Sequence, residues 1–193
     1  MNTMHSTDSE KYSDQELVSQ SVQNNERFKY IIEKYEQPLL RYIRRLTNVT
    51  NEDAEDILQE TFIKAYQNLN SYNPKMPFSS WIYRIAHNQV ISDFRSRKAR
   101  PHGNSVVISD EQYDSMFQDD TDIEQDIDKA ILREHMQTAL QKLDAKYRDV
   151  LVLKYLEEKS YKEISDILRK PEGTIATLIN RAKKKLKKVI NQQ

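Results

Sequence analysis

Apolar residues recur at every third or fourth position along most of the chain, and this spacing predicts amphipathic α-helices. The segment 53–69 shows it most clearly, with an apolar stripe that consists of Ala54, Ile57, Leu58, Phe62, Ala65, Tyr66 and Leu69. A second stripe on the same predicted helix consists of Asp56, Gln59, Glu60 and Ile63. Such an acidic face is ordinarily a solvated surface, and docking onto a partner protein is the alternative.

Three more helices are predicted in the first half. Ser13 and Glu16 form a capping box that begins a short helix with Leu17 and Val18, ending near residues 24–25. The next helix is long, with Phe28, Ile31, Ile32, Tyr35, Leu39, Tyr42, Ile43 and Leu46 in phase. Pro38 predicts a kink there, because an interior proline removes a hydrogen bond and costs about 3 kcal/mol.

A loop over residues 70–80 precedes a helix that we predict from about Ser80 to Arg97. Its predicted core residues are Trp81, Ile82, Ile85, Ala86 and Phe94. We expect Arg84, Asn88 and Arg95 on the opposite face. The helix ends in basic residues, which complement the helix dipole whatever else they do.

Regular periodicity disappears over residues 99–126, which we interpret as an acidic linker. The formal net charge of the chain is zero, yet residues 101–128 hold nine acidic residues and no Lys or Arg. The rest of the chain is therefore basic. Two interpretations of the linker remain open, a self-repelling tether or a nucleic-acid mimic that covers a basic surface.

Helical spacing resumes near Ile127. The first helix is marked by Ile127, Ile131, Ala139, Leu140 and Leu143, and the second, capped by Asp144, by Val150, Leu151, Leu153 and Tyr155. Ser160 and Glu163 form another capping box before a short helix with Ile164, Ile167 and Leu168. After a turn at 169–171, a basic helix carries Ile175, Ile179, Ala182, Leu186 and Val189. Two helices joined by this tight turn predict a helix-turn-helix.

The last helix contains candidate DNA contacts. The candidates for base contacts in its first turns are Glu172, Thr174, Ala176, Thr177, Asn180 and Arg181. Phosphate contacts are predicted for Lys183, Lys184, Lys185, Lys187 and Lys188. A solubilising basic helix end is the alternative interpretation of these lysines.

Composition supports an all-α protein with two small helical domains joined by an acidic flexible linker. Only two glycines and five prolines interrupt 193 residues, and cysteine is absent, which excludes disulfides and thiolate metal sites. No apolar run approaches the roughly 20 residues that cross a bilayer, so we expect a cytoplasmic protein without membrane insertion. The predicted organisation is a disordered N-terminal tail over 1–12, domains over 13–98 and 127–193, and the linker over 99–126.

Catalysis has little support in the sequence. The four histidines are scattered without partners at metal-ligand spacing, and no phosphate loop or nucleophile motif is present. We therefore predict no catalytic residue, no metal site and no cofactor.

Several segments resemble bacterial extracytoplasmic-function sigma factors of the compact two-domain type. They are DAEDILQETFIKAY at 53–66, FSSWIYRIAHN at 78–88, KYRDVLVLKYL at 146–156, and SYKEI at 160–164 with PEGTI at 171–175. The resemblance covers roughly residues 13–98 and 127–190. It implies an alternative sigma factor that binds core RNA polymerase, directs it to specific promoters and promotes DNA melting.

The resemblance also implies roles for particular residues. Docking on the clamp helices of the largest polymerase subunit is implied for Asp56, Gln59, Glu60 and Ile63. The resemblance implies that the loop 70–79 and Asn88 hold a base flipped out of the −10 promoter element. The residues implied to open this element are Lys75, Met76, Phe78, Arg84, Asn88, Arg95 and Arg97. Reading of the −35 element is implied for Glu172, Thr174, Ala176, Thr177, Asn180, Arg181 and Lys184. An anti-sigma factor is a further implied partner, and a stress response the implied setting.

The last helix departs from the family pattern. Positions that are usually basic after Gly-Thr-Ile hold Ala176 and Leu178, Asn180 is also unusual, and Arg181 is retained. This predicts a shallower salt dependence or a different −35 sequence, unless the lysines at 183–188 compensate. The main alternative to a sigma factor is a free-standing, dimeric helix-turn-helix regulator that binds DNA tightly without polymerase. A second is an adaptor that does not bind nucleic acid.

Overall fold

The computed structural model of the protein describes residues 12–99 and 135–191. Within these residues the chain forms helices and connecting turns without a β-strand, which confirms the all-α fold class. None of the helices described has the length and apolar character needed to cross a membrane. Apart from one residue each, the predicted tail (1–12) and linker (99–126) lie outside the described residues, as do Ile127 and Ile131.

The first half contains four α-helices. They are α1 (Asp14–Gln23), α2 (Phe28–Leu46), α3 (Asn51–Gln67) and α4 (Phe78–Ala99), with 3-10 turns at Asn25–Arg27 and Leu69–Ser71. The predicted capping box begins α1, since Ser13 N donates to Glu16 Oε2 at 2.8 Å and Glu16 N donates to Ser13 Oγ at 3.3 Å. Helix α2 continues through Pro38.

The second half contains the predicted helix-turn-helix. Its helices are α5 (135–141), α6 (Ala145–Leu151), a π-helical turn (Val152–Leu156), α7 (Tyr161–Leu168) and α8 (Glu172–Ile190). The predicted capping box of Ser160 and Glu163 begins α7. Asp144 stands at the N-cap of α6 as predicted, but its side chain makes no capping hydrogen bond.

The core of the first half is aromatic. Phe78 is 2% exposed, and its ring centroid lies 5.6 Å from that of Tyr35, 5.3 Å from that of Tyr72 and 5.4 Å from that of Trp81. The core of the second half is aliphatic and includes Leu140, Leu143, Val150, Leu153, Ile164, Ile167, Ile175 and Ile179.

Three residues predicted to face the core are exposed. Tyr66 of α3 is 42% exposed, although its ring centroid lies 5.1 Å from that of Phe28. Phe94 is 67% exposed because no described helix covers its side of α4, although Arg97 in the next turn still contacts Asp53 of α3. Tyr155 is 51% exposed. It lies in the π-helical turn, where the wider winding shifts the side chains out of the α-helical phase on which the prediction relied.

The two halves pack against each other, chiefly through α4 and α7. Arg84 Nε of α4 donates to the Asp166 carbonyl of α7 at 2.7 Å. His87 Nε2 of α4 lies 3.1 Å from Asp149 Oδ2 of α6. The face of α4 that carries Arg84 is therefore partly covered by the helix-turn-helix.

Candidate functional site

The acidic stripe of α3 is a free surface. Thr50 Oγ1 accepts a hydrogen bond from Asp53 N at 3.1 Å and fixes the start of the helix. The apolar stripe, apart from the exposed Tyr66, packs inward, so the opposite face is left to solvent. This face exposes Asp56, Gln59, Glu60 and Ile63, the last at 48%. Among the described residues these four side chains have no hydrogen bond or ion pair. Two carboxylates, an amide and an aliphatic group are thus available together; we call these four residues the acidic patch.

Polar contacts fix α3 to α4. Arg97 of α4 lies 2.9 Å from Asp53 and 2.6 Å from Asp93, and Lys64 of α3 donates to Gln89 Oε1. Hydrogen bonds to these two carboxylates raise the pKa of the Arg97 guanidinium above its ordinary value. Arg97, a predicted −10 contact, is therefore held by its own neighbours.

The other predicted −10 residues are divided between surface and core. Asn88 and Arg95 are exposed on α4, and Lys75 is exposed in the preceding loop. Arg84 is half-buried, and its Nη2 lies 3.0 Å from Met76 Sδ. Burial, followed by repulsion from the Arg169 charge, lowers the pKa of the Arg84 guanidinium.

A cavity of about 540 Å³ lies beside the loop that precedes α4. It is lined by Ser13, Asp14, Gln15, Lys34, Tyr35, Tyr72, Pro74, Lys75, Pro77, Phe78 and Lys162. Aromatic rings and lysines around one cavity suit a base and its phosphates. The loop predicted to hold a flipped base does line this cavity, whereas Asn88 does not.

Helix α8 buries Ile175, Ile179 and Ala182 and presents its polar side outward. The exposed residues of that side include Glu172, Thr174, Thr177, Asn180, Arg181 and Lys184, whereas Ala176 is half-buried. Thr177 Oγ1 donates to the Gly173 carbonyl at 2.9 Å. Lys185 Nζ lies 3.3 Å from Asp144 Oδ2 and 4.8 Å from the Tyr147 ring centroid. All of the predicted base contacts except Ala176 thus lie on the exposed side of α8, and Lys185 is engaged within the protein.

Sequence reasoning missed the residues that join the halves. Arg45 and Tyr83 of the first half bind Glu157 of the second. Helical periodicity carries no signal for such long-range polar pairs. One sequence feature hints at the contact between the halves. Tyr83 and His87 lie on a side of α4 that was predicted neither as core nor as a DNA contact.

Metal chemistry has no assembled site in the part of the chain that is described. Within residues 12–99 and 135–191, no group of three His, Asp or Glu side chains is placed to bind a metal ion.

Sequence comparisons match both halves to one family. The profile of Sigma-70 region 2 matches residues 31–100, and that of Sigma-70, region 4 matches residues 133–186. The chain is 36% identical to the ECF RNA polymerase sigma factor SigW of Bacillus subtilis over 83% of its own length and 87% of that protein. It is 31% identical to the RNA polymerase sigma-H factor of Pseudomonas aeruginosa over 92% of its own length and 93% of that protein.

Solved structures share the fold. CnrH, solved in complex with the cytosolic domain of CnrY, aligns with a TM-score of 0.68 and 21% identity over 94% of this chain and 99% of that one. The sigma factor RpoE of Bartonella quintana, solved with the anti-sigma factor NepR, aligns with a TM-score of 0.63 and 22% identity over 85% and 96% of the two chains. These likenesses show a shared fold. The two family profiles and the relatives above 30% identity favour the sigma-factor interpretation over a dimeric regulator. The chain belongs to the extracytoplasmic-function (ECF) group of sigma-70-type RNA polymerase sigma factors, whose function is promoter-directed transcription initiation.

Proposed function

We propose that the acidic patch of α3 docks the chain on the clamp helices of the largest subunit of core RNA polymerase. The observation that carries this proposal is the exposure of Asp56, Gln59, Glu60 and Ile63 on one face without partners of their own among the described residues. Carboxylates at the rim of an aliphatic contact favour a basic partner surface and steer association with it.

The −10 element contacts α4 and the loop before it. Asn88 and Arg95 on the exposed face of α4, with Lys75 of the loop, are the available contacts, and the adjoining cavity accommodates a base extruded from the duplex. Arg84, which donates to the Asp166 carbonyl of α7, and its neighbour Met76 are half-buried and complete this surface. Phe78 supports the cavity from the core.

The −35 element is read as duplex DNA by α8. Arg181 and Asn180 have the side chains that recognise guanine and adenine edges in the major groove, and Lys184 binds phosphate. Glu172, Thr174, Ala176 and Thr177 complete the reading face. Only one basic residue, Arg181, lies among the base-reading positions, so affinity depends on the lysines that follow it.

The first domain comprises residues 13–98 and the second residues 127–193. The chain has no catalytic activity of its own and works in the cytoplasm, where polymerase is found. Two relatives in fold were solved with CnrY and with an anti-sigma factor, and we propose that an anti-sigma factor also sequesters this chain.

Run-off transcription with purified core polymerase tests the assignment. The wild-type chain should direct a specific transcript from its promoter. Asp56→Arg should abolish the transcript by weakening polymerase binding, whereas Asn88→Ala should bind polymerase normally and open the promoter poorly. Binding to core polymerase is measured separately, so that the two defects are distinguished.

Glu36→Arg is the matched control. Glu36 is an exposed carboxylate on α2, so this variant repeats the charge reversal away from the acidic patch. Polymerase binding that survives Asp56→Arg, or that Glu36→Arg weakens equally, would refute the proposed docking surface.

A further inference from the structure

Gly173 occupies a position where the protein itself does not require glycine. A fold requires glycine where φ is positive or where a Cβ atom would clash. Gly173 has no positive φ, and a Cβ atom at this position would meet no atom within 4 Å among the described residues. Glycine also disfavours a helix relative to alanine. The absence of a side chain at the start of α8 therefore points to a partner that approaches the helix closely.

Thr177 is the neighbour of Gly173 on the exposed side of α8. It lies one turn further along the helix, and its Oγ1 donates to the Gly173 carbonyl at 2.9 Å. Ile175, Ile179 and Ala182 mark the buried side. At about 3.6 residues per turn, Gly173 and Thr177 both lie within about 30° of the opposite direction. The pair therefore forms the most outward part of the base-reading face.

This hydrogen bond decides which part of Thr177 is left for a ligand. The hydroxyl proton is used within the helix, so the exposed side chain offers DNA its methyl group rather than a donor. Asn180 and Arg181 lie on either side of Thr177 and are exposed. The methyl group is therefore an apolar centre between two side chains that can read base edges by hydrogen bonds.

Thymine is the base that fits such a surface. In the major groove it presents a 5-methyl group, with which a threonine methyl makes apolar contact. Cytosine lacks this methyl group, and the purines present hydrogen-bonding groups instead. A phosphate fits poorly, because neither Gly173 nor Thr177 supplies a charge or a free side-chain donor. The exposed carboxylate of Glu172, next to Gly173, also repels an anion.

We propose that Gly173 and Thr177 together receive the 5-methyl group of one thymine in the −35 element, on either strand. Gly173 leaves the space for the methyl group, and Thr177 supplies the apolar contact. The proposal rests on the proposed function of α8 and adds a base to it. The promoter that this chain selects has a thymine where the DNA faces this pair, and Gly173 determines specificity although it has no side chain.

Deoxyuridine tests this contact, because it is thymidine without the 5-methyl group and pairs in the same way. Holoenzyme assembled from core polymerase and the full chain first selects its preferred sequence from duplexes that are randomised at the −35 element. Each thymine of the selected sequence, on both strands, is then replaced singly by deoxyuridine. At least one replacement should weaken binding about fourfold, the loss expected for one buried methyl group. Full binding with deoxyuridine at every position would overturn the proposal.

Thr177→Ser removes the methyl group and keeps the hydroxyl. It should weaken binding to the thymine duplex about fourfold, and deoxyuridine at the sensitive position should then cause no further loss. Thr177→Val keeps a methyl group without the hydroxyl and should retain the response to deoxyuridine. Thr138→Ser is the matched control at an exposed threonine of another helix, α5, and should leave both measurements unchanged. An equal response to deoxyuridine in the wild type and in Thr177→Ser would contradict the contact.

Gly173→Ala places one methyl group in the proposed space. It should weaken binding to the thymine duplex several-fold and binding to the deoxyuridine duplex less, because loss of the thymine methyl makes room for the new Cβ atom. The midpoint of thermal unfolding should rise by about 2 °C, since alanine favours a helix, so misfolding does not explain the weaker binding. An equal loss with both duplexes would mean that Gly173 faces the DNA backbone, and it would overturn the proposal.

Failure of the thymine contact is distinguishable from failure of the proposed function. A holoenzyme that selects no −35 sequence would refute the reading of DNA by α8, and the thymine contact with it. A holoenzyme that selects a −35 sequence but tolerates deoxyuridine at every thymine would refute the thymine contact alone.

Discussion

Arg97 of α4 lies 2.9 Å from Asp53 of α3, measured between Arg97 Nη2 and Asp53 Oδ1. The same guanidinium lies 2.6 Å from Asp93, one helical turn earlier. Asp53 belongs to the first turn of the helix that carries the acidic patch, and Arg97 to the last turn of the helix with the −10 contacts. The pairing favours a structural role for Arg97 over the DNA contact that family resemblance implies.

Arg97→Ala and Arg95→Ala should therefore have different effects. Loss of Arg97 should lower the free energy of unfolding by about 1 kcal/mol, because the ion pairs are half-exposed. Loss of Arg95, which is exposed and has no pair in the described part of the chain, should leave stability unchanged. Instead it should reduce the salt dependence of promoter binding by about one phosphate contact. Urea unfolding and promoter binding by the holoenzyme at several salt concentrations measure the two effects.

An Arg97→Ala variant with wild-type stability and a reduced salt slope would reverse this assignment. Arg97 would then be a phosphate contact, and its pairing with Asp53 would be broken when DNA binds.

The pairing of Asp53 should also appear in the pH dependence of stability. The hydrogen bond from Arg97 is the main cause of the lowered pKa of the Asp53 carboxyl, which burial opposes. A carboxyl with a lowered folded pKa contributes stability above its unfolded pKa of about 4, and this contribution is lost as the pH falls through the folded pKa. The stability difference between wild type and Arg97→Ala should be full at about pH 6 and shrink below about pH 4. Urea unfolding of both proteins measures it, and a difference independent of pH would mean that Arg97 does not lower the pKa of Asp53.

Helix positions and caps could be predicted from the sequence because their signals are local. Ser13 with Glu16 and Ser160 with Glu163 satisfy backbone donors three residues apart, and both capping boxes are present. The acidic patch was predictable for the same reason, because residues three or four apart share a helix face wherever the helix lies.

Features that depend on packing between distant segments were not predictable. Phe94 has the right phase for the core, but no helix in the described part of the chain covers its side chain. In the sequence, Glu157 is one of two adjacent glutamates that cannot be told apart. Only the structure shows that Glu157 pairs with Arg45 and that Glu158 is exposed. Contacts across about 110 positions leave no periodic pattern in a single sequence.

Arg169 offers a stability gain in the turn of the helix-turn-helix. It ends α7 with φ 52° and ψ 48°, a left-handed conformation in which a side chain is strained and glycine is favoured. Arg169→Gly should raise the free energy of unfolding by about 1 kcal/mol. Arg169→Ala is the control, since it removes the charge near Arg84 but keeps the Cβ atom. If thermal unfolding shows equal gains for both, charge repulsion rather than backbone strain is the cause.

The −35 contacts of α8 should separate into specificity and affinity. Arg181→Ala removes a group that can bind guanine by two hydrogen bonds, so it should weaken binding to the preferred promoter by about 1–3 kcal/mol and relax selectivity at one base pair. Lys184→Ala should weaken binding to all sequences alike and reduce the salt slope by about one. Lys185→Ala is the matched control, because Lys185 is engaged by Asp144 and Tyr147 and should change the salt slope least. Holoenzyme binding to a set of −35 variants measures all three, and a uniform loss with Arg181→Ala would mean that Arg181 contacts phosphate rather than a base.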